Sequence, residues 1–113
     1  MQKVSLEAIA RQQLDVARHA ASARSAATVY GGSEHALRQT VLALCADAML
    51  DEHENPGEAT VYVLSGRVEV AAGDDRWQAR AGDLLTIPAA RHSLRAFEDS
   101  VVLLTAVPRG HIR

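Results

Sequence analysis

The stretch TVYVLSGRVEV, residues 60 to 70, decides the fold class. Val61 and Val63 precede the pair Ser65-Gly66, Val68 and Val70 follow it, and Arg67 and Glu69 alternate with the second pair of valines. Successive side chains leave a strand on opposite sides, so a period of two marks a strand with one face buried. The four valines are expected on a single buried face, with Ser-Gly as the turn of a β-hairpin. Tyr62, out of phase with Val61 and Val63, is expected on the outside.

The same texture runs through most of the chain. From about Ala26 onward, short runs of β-branched and apolar residues are separated by turn chemistry such as Gly31-Gly32, Asn55-Pro56-Gly57, Gly73-Asp74-Asp75 and Ala81-Gly82-Asp83. Strands are expected near 26–30, 36–45, 48–53, 60–64, 67–72, 76–80, 84–87, 92–97 and 101–107. That many short strands at such spacing read as an all-β sandwich or barrel.

The first residues differ. They are rich in Ala, Gln, Arg and Leu and lack Gly and Pro, which predicts a helix with Ser5 as its N-cap and Glu7 in the first turn. Leu6, Ile9, Ala10, Leu14, Ala17 and Ala21 form its apolar stripe. Because that stripe is mostly alanine, the helix needs a surface to dock on, either its own barrel or a partner subunit. The division expected is a helical segment over residues 1–24 and a β-domain over 25–113.

Composition excludes several functions. Twelve Lys and Arg against fourteen Asp and Glu give a formal charge of −2 with both signs scattered, so no basic stripe is offered to nucleic acid. Cys45 is the single cysteine, which rules out an internal disulfide and suits a reducing compartment. Glu7 and Arg11 interrupt the start where a signal peptide needs a continuous apolar core, and no run approaches the roughly 20 apolar residues that span a bilayer. A cytoplasmic protein without membrane contact is expected. Nucleophilic catalysis has no candidate: there is no Gly-x-Ser-x-Gly elbow, phosphate-cradling glycine loop or Cys-x-x-Cys pair.

Two segments carry a resemblance. HENPGEATVYVLSGRVEV and RAGDLLTIPAARHSL look like the two sequence motifs of the cupin family, and the likeness extends over about residues 36 to 107. It implies a double-stranded β-helix, or jelly roll, here preceded by the α-helix, whose interior commonly holds one divalent metal ion on three histidines and a glutamate. Position by position, His53 matches the first histidine, Asn55 stands where the second belongs, Ala59 takes the glutamate position with Glu58 one residue earlier, and His92 matches the last histidine. Gly82, Asp83 and Pro88 fit the second motif, while Pro88 to His92 is one residue short and Ala96 replaces the family's asparagine.

The alternation that places Val61 and Val63 inward turns Glu58 outward unless the Pro56-Gly57 turn adds a bulge. The donors left for a metal are His53, His92 and Asn55, with Glu58 as an optional fourth, against the three or four ligands transition metals generally take. The leading reading is a binding module whose cavity takes a small, partly apolar molecule on His53, Asn55, Val61, Val63, His92 and Leu94. The alternative is a metal-dependent enzyme of dioxygenase or isomerase type, with Zn, Ni, Fe or Mn on His53, His92, Asn55 and Glu58. A barrel without metal is the other state the donor count allows. A homodimer is expected as well, from the alanine-rich helix and from the strands near Ala26–Tyr30 and Val101–Val107.

Overall fold

The computed structural model describes residues 1–53, 57–87 and 90–108, with Glu52, His53 and Pro108 described by their backbone. One helix, α1 (Leu6–His19), precedes nine strands: β1 (Arg24–Tyr30), β2 (Arg38–Leu44), β3 (Met49–His53), β4 (Gly57–Ser65), β5 (Arg67–Ala72), β6 (Asp75–Arg80), β7 (Leu84–Thr86), β8 (His92–Ala96) and β9 (Ser100–Pro108). Each expected strand is present, and Ser5 caps the helix by accepting a hydrogen bond from the Ala8 N–H at 3.2 Å. Among the described residues no helix is long and apolar enough to cross a membrane.

The strands form two antiparallel sheets. One runs β1-β2-β9-β4-β7 and the other β3-β8-β5-β6. Leu44, Val61, Val63 and Val102 from the first sheet meet Val68, Val70, Leu94 and Ala96 from the second, and this sandwich is the main core. The jelly-roll expectation is met in its layers. The hairpin expectation around Ser65-Gly66 is not.

The correction is topological. All four valines are buried, but β4 belongs to one sheet and β5 to the other, so Ser65-Gly66 is a corner between sheets and the valines face each other across the core. A hairpin and a sheet-to-sheet corner bury the same alternate residues, so periodicity alone does not separate them. The corner needs glycine at position 66. Its φ is +84°, and a Cβ there would collide with the Ser100 hydroxyl and the Asp99 carbonyl. Ser100, fully buried, closes the corner by accepting from the Arg67 N–H at 3.0 Å while its hydroxyl reaches the Glu98 carbonyl at 2.7 Å. The hairpin of this region is β5–β6, with Gly73 and Asp74 between the register partners Ala72 and Asp75.

Helix α1 docks on its own domain. Leu6, Ile9, Ala10, Leu14 and Ala17 pack on Val41, Ala43 and Val101, on the outer face of the five-stranded sheet, and Ala17 is fully buried. Ala21 lies beyond the helix and is exposed. Small residues on the stripe let the helix sit close to the sheet. Two polar contacts fix it there: the Ser25 hydroxyl donates to the Gln13 carbonyl at 2.7 Å, and Arg18 reaches Asp99.

Candidate functional site

The site is built where β3 ends and β8 begins. Leu50 pairs with Leu94, and the next pair is His53 with His92. Three steps along β3 therefore match two along β8, so β3 carries one extra residue between those pairs, the signature of a β-bulge. Uninterrupted pairing from Leu50 would set Glu52 opposite His92; the bulge sets His53 there instead.

His92 is 7 % exposed, and Leu94 and Ala96 beyond it are buried too. Its Nδ1 lies 3.0 Å from the Ala90 carbonyl oxygen. A carbonyl only accepts, so Nδ1 is the donor of this bond. His92 sits at a hollow of about 30 Å³ between the sheets, surrounded otherwise by Leu42, Leu50, Val61, Val70, Ile87, Leu94 and Leu104. A hollow that size takes a water molecule or two, since one water needs roughly 10–15 Å³. Small-molecule pockets run to about 300–1,000 Å³.

The expected site residues fall into separate groups. Val61, His92 and Leu94 line the hollow. Val63 is fully buried in the core and does not line it. His53 is placed by its backbone pairing with His92, and Asn55 lies outside the described residues. Glu58, on β4 opposite Val107, is exposed, while the next residue, Ala59, packs on the core. Leu42, Leu50, Val70 and Leu104 also line the hollow, where the inward phase of their strands was the signal that could have found them, and Ile87, just after β7, joins them.

Metal chemistry can be judged from this donor set. Among the described residues no three His, Cys, Asp or Glu side chains come together as a ligand group. Of the residues that match the family's metal positions, His92 is buried at the hollow, His53 is its backbone partner on β3, and Glu58 is exposed. The described donors do not make a complete set of three or four.

Of the aromatic rings, Tyr62 faces outward and is exposed, as alternation predicts. Trp77 stands on the edge strand β6 opposite Val70 and is 40 % exposed, and Phe97 lies beneath the guanidinium groups of Arg67 and Arg95. None of the three lines the hollow.

Comparison with known proteins gives the family. A family model described as a cupin domain matches residues 44–108. Among solved structures, a conserved protein of unknown function from Streptococcus pyogenes is similar at 28% identity with a TM-score of 0.68, covering 75% of this chain and 74% of that one. An RmlC-like cupin protein from Desulfovibrio desulfuricans is similar at 27% identity and TM-score 0.65, covering 75% and 82%. A cupin superfamily protein from Desulfitobacterium hafniense, at 14% identity and TM-score 0.69 over 75% and 77% of the two chains, shares the fold. No functionally curated protein matches. The two facing sheets, the motif residues on β3, β4 and β8 and the family match over more than half its length agree: the chain belongs to the cupin family.

Proposed function

We propose that this chain is a small-ligand-binding cupin of the cytoplasm, in which His92, faced by His53, anchors a polar group of a partly apolar molecule at the mouth of the barrel. One observation carries the reading: the buried His92, whose backbone partner on β3 is His53, stands at a hollow otherwise walled by aliphatic side chains. The volume of that hollow, about 30 Å³, refines the reading. The ligand is not swallowed; it rests at the mouth and sends one small group inward. Val61 and Leu94 offer it apolar contact, and the His92 imidazole is its polar anchor.

A thermal-shift screen of small fragments tests the proposal. Compounds that stabilise the wild type are expected to lose that effect in His92→Gln and in the His53→Ala, His92→Gln double variant. Undiminished stabilisation in both variants refutes it.

A second reading, a metal-dependent enzyme on His53, His92 and Asn55, draws on the Nδ1 contact with Ala90. Metal-ligating histidines usually donate their other ring N–H to a backbone carbonyl or carboxylate in this way. Elemental analysis decides it. Near-stoichiometric Zn, Ni, Fe or Mn that disappears in His53→Ala favours the enzyme; protein that retains none after reconstitution with each removes it.

Homodimerisation is proposed through β1. The helix stripe and Val101 are spent on the helix's own domain, whereas β1 is an edge strand and Tyr30 at its end is exposed. Light scattering of the full chain should give twice the monomer mass, falling to the monomer when Ala26 and Thr28 are both changed to lysine. A mass unmoved by those charges excludes β1.

A further inference from the structure

The outer face of the four-stranded sheet gathers positive charge that is dispersed in the sequence. Arg67 on β5 and Arg80 on β6 are register partners, so two like charges stand directly opposite each other on an exposed surface. Opposed like charges work against a sheet unless something between them is negative. Among the described residues neither guanidinium forms an ion pair.

The neighbouring carboxylates are committed elsewhere. Glu69, the next outward residue on β5, contacts Arg76 at 3.4 Å, and Asp47 contacts Arg95 at 3.3 Å. Asp83 borders the Arg67–Arg80 groove, but its carboxylate accepts from the Arg80 backbone N–H at 3.0 Å. Arg67 is held from one side by Phe97, whose ring centre lies 4.9 Å from the guanidinium carbon; Arg95 lies 5.3 Å from the same ring. Between Arg67 and Arg80, with Gln78 beside them, the surface dips into an open groove of about 250 Å³. In a chain with a formal charge of −2, such a concentration of arginine is not a by-product of general basicity.

We propose that this groove is a binding site for a phosphate-bearing small molecule, clamped between the guanidinium groups of Arg67 and Arg80. Two planar forks on adjacent strands suit a tetrahedral group with several terminal oxygens, each fork taking a pair. The site lies on the face of this sheet opposite the hollow, so it stands or falls independently of the ligand reading at His92.

The test follows the arginine Nε–H resonances of the full chain by NMR during titration with inorganic pyrophosphate at low ionic strength, with citrate as a parallel arm. Arg67 and Arg80 should shift saturably and together, and Arg38, on the other sheet, should not. Arg67→Gln with Arg80→Gln should weaken pyrophosphate at least tenfold, the paired lysine variant should weaken it less, and Arg38→Gln should leave it unchanged. Shifts spread evenly over all arginines, or wild-type affinity in the double glutamine variant, overturn the site. Tighter binding of citrate than of pyrophosphate overturns the phosphate assignment.

Discussion

Arg18, in the last turn of the helix, donates from Nε and Nη2 to a single carboxylate oxygen of Asp99 at 3.2 and 3.0 Å, across 81 residues of sequence. The other oxygen of Asp99 accepts from the Ala46 N–H at 2.8 Å, just after β2. One side chain therefore ties the helix, the β2–β3 turn and the β8–β9 turn together. Replacing Asp99 by alanine should cost about 1 kcal/mol in urea unfolding, little more than an exposed pair is worth, because solvent screens both partners. Arg18→Ala should cost about half as much, since it leaves the Ala46 contact in place.

Acid sensitivity follows from the same residue. The Ala46 N–H first, and then Arg18, hold the Asp99 carboxyl below the usual carboxylate value. A carboxyl depressed in the folded state stabilises above its unfolded pKa, about 4, and that stabilisation fades as pH falls toward the folded value. Asp99→Asn should flatten the decline in melting temperature below about pH 4 and leave the neutral-pH slope unchanged. An identical acid limb in both proteins would show that other carboxylates dominate.

Gly66→Ala should destabilise by about 2–4 kcal/mol, combining a positive φ with collision against Ser100 and Asp99. Gly73→Ala, where φ is +59° and no atom stands within 4 Å of the new methyl group, should cost only about 1–2 kcal/mol. Equal losses would mean that the corner relaxes around the added carbon.

Ala17→Glu places a carboxylate at the fully buried contact between helix and sheet. It should undock α1 and cost about 2–4 kcal/mol. Hydrogen exchange should quicken throughout residues 6–19 while the amides of β5 and β8 keep their protection. Uniform loss across both sheets would make the helix part of one cooperative unit with the sandwich.

Much of the fold was legible because strands and helix here obey their periods closely. Val61, Val63, Val68 and Val70 alternate, Ser5 caps, and turns carry glycine. The sheet that each strand joins was not legible, since β4 and β5 bury the same residues whether they form a hairpin or a corner. At the site, His92 and Leu94 could be placed by alternation, but the bulge that brings His53 opposite His92 depends on how β3 meets β8 and leaves no mark in local sequence. The arginine face is hidden for a related reason. Arg67, Arg76, Arg80 and Arg95 come from three strands and converge only through register.

Strand order also governs how this protein is made. β9, the last of the described strands in chain order, does not sit at a border but between β2 and β4, the middle of the larger sheet. Until it emerges from the ribosome, both of those strands present bare backbone edges to other nascent chains. Assembly of the larger sheet must therefore wait for β9 to be made and released, and a product terminated before it is expected to be a substrate for chaperones or proteases, not a smaller working protein.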